Sequence, residues 1–237
     1  MIAFFSLATA QLFDKSLQKI LWVSLVLSAA LLVVLWALVE NTLSQTELLS
    51  TGWLYGVFDW ILIKVTSIFG SILILGLTWF LFPSIVTLII TFFLEPVINA
   101  VETKHYPNLP QPRQQSILEV IRITLKFMLL SISLNILVMP FYAVFFFLGP
   151  VNVLIFYMLN GYLLGREYFE LVAYRRLETN KVLGLFNISR GSIFRVGIIS
   201  ALLMTVPIIN MVTPIISLAA MVHLVQKYDN NLTTLET

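Results

Sequence analysis

The side chains able to do chemistry are few and widely spaced. His105 and His223 are the only histidines, 118 residues apart, and the chain has no cysteine. Without thiols, disulfides, thiolate metal sites and cysteine nucleophiles are excluded. A metal site on two distant histidines would need further partners. His105 reads as a loop residue and His223 as a residue at the membrane surface. There is no H-E-x-x-H, no G-x-S-x-G, no glycine-rich phosphate loop and no aspartate pair within the apolar stretches. Those are the signatures an enzyme of this type would carry, so neither catalysis nor a cofactor or metal is expected.

Polar residues set in apolar surroundings are the remaining candidates, because each is costly in hydrocarbon unless paired. Asn210 lies between Pro207 and Pro214, flanked by Thr205 and Thr213, while Asn135 and Asn152 lie near an earlier proline-marked turn. Such groups either satisfy backbone freed by the prolines or line a solvated path. Half-helices starting near Asn152 and Pro214, with N-termini at the midplane, would offer unpaired N–H groups and a positive dipole end to an anion. Its charge partners must lie at the interface, since the apolar stretches hold no Arg or Lys. Lys15 and Lys19, with Gln18 beside them, and Arg190 and Arg195 are the candidates. Each is also an ordinary topology mark and headgroup contact.

The elements that must position these residues follow from composition. The 237 residues are 59% hydrophobic and 11% charged, against about 45–50% and about 25% in soluble domains. This excludes a soluble or disordered chain, and a net charge of +2 is too small and scattered for nucleic-acid binding. Ala8-Thr9-Ala10 resembles a cleavage site, but no basic residue precedes it and the apolar stretch is short, so the N-terminus is read as retained.

Four charge-free runs organise the chain: Ile20–Val39, Val65–Leu94, Phe127–Gly165 and Val196–Val222. A spanning helix needs roughly 20 apolar residues. The first run fits one span, and the second fits one with a tilt or a kink at Pro83. The last run has 27 residues split by Pro207 and Pro214, too few for two crossings and too broken for one straight helix. Its arms, 196–206 and 214–226, each reach about half the hydrocarbon thickness at roughly 1.5 Å per residue. That describes a re-entrant hairpin. The third run, broken by Pro140 and Gly149-Pro150, fits either a second re-entrant hairpin or two short spans.

Loop charges constrain the crossings. Lys and Arg concentrate in 1–19, 95–126 and 166–195, while the 40–64 loop carries Glu40, Glu47 and Asp59 against one Lys. By the positive-inside rule only 40–64 is external, so the third run crosses twice or not at all. The expected fold is an all-α integral membrane domain spanning 1–237. An interfacial helix (1–19) precedes two transmembrane helices (20–94), a first re-entrant hairpin with cytoplasmic extensions (113–178) and a second (190–227). Half-depth elements leave apolar surface to cover, which points to a homo-oligomer in the lipid bilayer.

Local signals place the helix ends. Ser116 with Glu119 reads as a capping box, opening a helix that carries Glu119, Arg122 and Lys126 on one stripe and then runs uncharged to Pro140. Asn152 reads as the cap of a helix from about 152 to 178, with Arg166 and Glu170 as an i,i+4 pair. Gly161 and Gly165 on that helix permit close approach of another helix, read as packing within the chain.

These residues resemble a known family. Pro207-Ile208-Ile209-Asn210, then Pro214 and Leu218-Ala219-Ala220, is similar to the P-x-x-N hairpin of the CysZ sulfate permease and the related etoposide-induced-protein family. The Gly161–Arg176 stretch and Leu94-Glu95-Pro96-Val97 resemble its other helices in the same order. The resemblance implies two long membrane helices and two half-penetrating hairpins, often oligomeric. It also implies an inner-membrane permease for sulfate or a similar oxyanion. The family carries a glycine and two arginines before its first span as a sulfate site, where this chain has Ser16-Leu17-Gln18-Lys19. A non-transporting membrane scaffold or bilayer-remodelling protein is the alternative.

Overall fold

The computed structural model describes residues 2–45, 78 and 81–236, among which there is no strand. The helices are α1 (Ile2–Gln11), α2 (Lys15–Gln45), α3 (Leu81–Thr91), α4 (Leu94–His105), α5 (Ile117–Val144), α6 (Gly149–Ala173), α7 (Thr179–Met204), the short α8 (Pro207–Asn210) and α9 (Thr213–Glu236). The expected external loop beyond Gln45 and most of the second span before residue 81 lie outside the described residues. Lys15–Leu38, Ile117–Val144 and Thr179–Met204 are long and apolar enough to cross a membrane, and α3 with α4 would make a fourth if they form one broken span. The described residues are thus all-helical, and the chain is a multi-pass membrane protein.

Two compact units divide the chain, Leu21–Phe92 and the remainder. In Leu21–Phe92, α2 exposes Trp22, Val26, Val33 and Trp36, all more than half accessible. An open apolar face of this extent suits lipid. Ser28 Oγ donates to the Ser24 carbonyl at 2.6 Å, so this buried hydroxyl is satisfied within its own helix.

The other unit is built around α9. Every residue from Thr213 to Gln226 is buried, and α1, α4, α6 and α7 all pack on this helix. A helix covered on all sides can be apolar all round. The most extensive helix pair is α6 on α7. A Cβ at Gly161 would lie 2.6 Å from Ile198, and one at Gly165 would lie 2.6 Å from the Ile193 carbonyl. The G-x-x-x-G pair therefore does pack within the chain. Its unforeseen counterpart is Gly197, where a Cβ would strike the Gly161 carbonyl.

Several boundaries differ from those expected. The N-terminal segment is two helices, because Leu12–Asp14 turn back on α1, with the Asp14 N–H donating to the Gln11 carbonyl at 2.8 Å. Asp14 then opens α2 by accepting from the Gln18 N–H. The first of these helices is packed on α9 with Ala8 fully buried. Pro140 does not stop α5, which runs on to Val144. Its helical φ is already correct, and only one turn follows the missing N–H. Asn152 is not the cap of α6. Gly149 and Pro150 start that helix, as proline's fixed φ favours the first turn.

Ser116 does cap α5, accepting from the Glu119 N–H at 3.2 Å. The Glu119 carboxylate turns instead to Arg113. The prolines at 207 and 214 do break the chain between α7 and α9, with α8 in the gap. The α5–α6 hairpin returns to where it began: the Arg113 N–H donates to the Arg175 carbonyl at 2.9 Å and Gln115 donates to the Tyr174 carbonyl at 2.6 Å.

Candidate functional site

Lys15 and Lys19 open α2 one turn apart and are both exposed, with Gln18 half-buried beside them. Neither lysine has an ion-pair partner among the described residues. The nearby Asp14 carboxylate is taken by Lys104. Four residues is one helical turn, so both ammonium groups project from one face.

Arg190 and Arg195 lie on α7 and are exposed. Arg195 is held locally, its Nε donating to the Gly191 carbonyl and a terminal nitrogen to Ser192 Oγ, both at 3.1 Å. Arg190 has neither a hydrogen bond nor an ion pair among the described residues. It lines a cavity of about 410 Å³ with Tyr162, Arg166, Phe186 and Phe194. Arg166 makes the expected i,i+4 pair, its Nε 2.7 Å from Glu170.

The residues expected at the hairpin tips mostly serve backbone. Asn135 donates to the Ser131 carbonyl, Asn152 to the Tyr142 carbonyl, Thr205 to Leu202 and Thr213 to Ile209, at 2.6–3.3 Å. Tyr157 O–H also reaches Thr205 at 3.3 Å. Asn210 closes α8, its N–H donating to the Val206 carbonyl at 2.7 Å. The Leu202 and Ile209 carbonyls also accept the Thr205 and Val212 N–H groups, so these side chains add second bonds there, while Asn152 reaches across the turn to the last turn of α5.

Two constellations escaped the sequence reading. Glu102, 2% exposed, is held by two of the three Arg176 side-chain nitrogens, Nε at 2.8 Å and a terminal nitrogen at 2.6 Å, with Arg175 Nε at 3.3 Å. Arg175 also reaches Glu95 and Asn99. In sequence the Arg175-Arg176 doublet reads only as part of a positive loop. A carboxylate at Glu102, directly after the largely apolar stretch Val97–Val101 of α4, is the one local signal. Close by, Glu167 lines a cavity of about 430 Å³ with Glu95, Glu170 and Arg175. Burial, and then the Glu170 charge, push its carboxyl above the usual range.

The second constellation joins the two histidines. Gln11 Nε2 lies 3.0 Å from His105 Nε2 and 2.6 Å from His223 Nε2, while His223 Nδ1 meets Tyr106 O–H at 2.8 Å. His223 is 4% exposed, and burial followed by the His105 charge pushes it down to about 4. Sequence separation hid this contact, which needs α1, α4 and α9 together. Among the described residues no group of three or more His, Cys, Asp or Glu could hold a metal ion.

The profile of the family described as Sulfate transporter CysZ/Etoposide-induced protein 2.4 matches residues 4–214, so the chain belongs to that family. No curated protein and no solved structure matches it.

Proposed function

From that membership we propose that the chain is an inner-membrane permease for sulfate or a similar oxyanion. The family match over residues 4–214 carries the reading, and the unpaired cations support it. Lys15, Gln18 and Lys19 form the first contact for the anion in place of the family's glycine and arginines, with Arg190 and Arg195 as further cationic contacts. Neither a cofactor nor catalysis is part of this reading. In its membrane arrangement, α2 and the 65–94 segment cross the bilayer, and the α5–α6 and α7–α9 hairpins dip in and return. The N-terminus and most loops are cytoplasmic, and several copies assemble. The stitched ends of α5 and α6 support a hairpin that returns to its own side.

The test is sulfate uptake in cells lacking their own sulfate permeases. Expression of the chain should restore uptake, and Lys15→Ala with Lys19→Ala should reduce it about tenfold, the scale of one or two charged hydrogen bonds. No restoration by well-expressed protein overturns the proposal. The second reading, a non-transporting membrane scaffold, is favoured by one observation: Asn135, Asn152, Thr205 and Thr213 spend their hydrogen bonds on backbone. Envelope defects in a deletion strain with normal sulfate uptake would establish it.

A further inference from the structure

Among the described residues, the cavity between α6 and α7 brings two arginines to shared space with no carboxylate in its lining. It is walled by Tyr162, Arg166, Phe186, Arg190, Ile193 and Phe194, with Gly191 at its edge, and measures about 410 Å³. Its construction follows from the glycine seam. Close approach at Gly161, Gly165 and Gly197 fixes the register of the two helices, and beside that seam Arg166, the residue after Gly165, lines shared space with Phe186 and Arg190 of α7.

Arg166 is positioned on three sides. Its Nε donates to Glu170 at 2.7 Å, one terminal nitrogen donates to Tyr162 O–H at 3.1 Å, and its guanidinium lies 5.5 Å from the centre of the Phe186 ring. Its other terminal nitrogen has no partner among the described residues. Tyr162 accepts from Arg166, which leaves its own proton to donate. Arg190 is wholly unpaired among the described residues. Glu170 offsets one of the two positive charges from behind, on Arg166, so the cavity keeps a net positive charge beside apolar aromatic walls. Guanidinium forks and a phenol converging in a partly desolvated space match the acceptor oxygens of an anion.

We propose that this cavity binds a tetrahedral oxyanion between Arg166, Arg190 and Tyr162, as free sulfate or as the phosphate of an acidic phospholipid headgroup. It rests on the permease reading only where the bound species is the transported one. The Lys15–Lys19 turn is not part of this cavity's lining.

The experiment measures radiolabelled sulfate binding to purified protein, and lipid retained by native mass spectrometry from vesicles of phosphatidylglycerol with phosphatidylcholine. Arg190→Gln is the informative variant, because Arg190 is exposed and unpaired and its loss leaves folding intact. Arg166→Lys keeps the charge and loses the fork. If free sulfate is the ligand, Arg190→Gln weakens its binding about tenfold or more and Arg166→Lys weakens it less. If a lipid phosphate is the ligand, sulfate binding is unchanged and retained phosphatidylglycerol falls in Arg190→Gln. Sulfate affinity and lipid retention both equal to the parent protein in Arg190→Gln overturn the proposal. Uptake is measured separately with the Lys15/Lys19 variant. An unaffected Arg190→Gln protein in cells that still take up sulfate therefore removes this cavity, and Arg190 with it as an anion contact, and leaves the permease reading resting on the Lys15–Lys19 turn.

Discussion

Helices α5 and α9 are both long and apolar, and they sit in the same unit under opposite conditions. In α9 every residue from Thr213 to Gln226 is buried, whereas α5 buries none of its 28. The two differ in polarity, since only α5 is apolar enough along its length to cross a membrane, and also in side-chain size. The buried stretch of α9 includes Ser217, Ala219 and Ala220, while α5 presents Leu129, Ile132, Ile136, Leu137 and Met139 outward. Lipid is as apolar as leucine and gives large side chains no reason to turn inward, while small residues let helices close on one another. Hydropathy marks α5 for the membrane, but it does not say which apolar stretch the protein itself encloses.

The contrast can be broken most forcefully from the buried side. Glu102→Ala should destabilise the protein by about 3–5 kcal/mol, because two arginines are left in a closed site without their partner. Chemical denaturation in detergent measures it, and a change under about 1 kcal/mol would mean the site is wetter than its burial indicates. Gly197→Val should cost about 1–3 kcal/mol through overpacking against α6, read as a lower melting temperature with normal expression.

A smaller effect depends on pH. His223 has its folded pKa lowered from 6.5 to about 4, so between those values the unfolded chain holds the extra proton. The contribution is absent near neutral pH, and stability falls as pH drops from about 6.5 to about 4. The melting temperature should follow that slope, and His223→Asn should flatten it. At the other end of the scale, Leu129→Ala on α5, where the side chain is 60% exposed, should change stability by less than about 0.5 kcal/mol. A loss of several kcal/mol there would show that another protein surface, rather than lipid, covers that face.

Much of the helix layout was legible because it is punctuated locally. Ser116, Gly149-Pro150, Pro207 and Pro214 act through φ restriction, a missing N–H or a short side chain that caps, all properties of a few adjacent residues. The Arg166–Glu170 pair and the Gly161/Gly165 contact were legible for the same reason, since helical spacing dictates them. Pro140 misled because its effect depends on how much helix follows it. What stayed hidden joins distant segments. Glu102 with Arg175 and Arg176, Gly197 against Gly161, and Gln11 between His105 and His223 each require a helix packing that spacing along the chain does not encode. Among the candidate anion contacts, Lys15 and Lys19 could be placed on one face from spacing alone, whereas the cavity shared by Arg166 and Arg190 exists only once α6 and α7 are docked.

The glycine contact between α6 and α7 has a mechanical consequence. At Gly165 and Gly197 backbone lies against backbone with no side chain between to change rotamer, so at that seam the two helices cannot slide without atoms colliding. Any working motion of this protein must carry the pair as one rigid strut, with the bending left to the turns at either end.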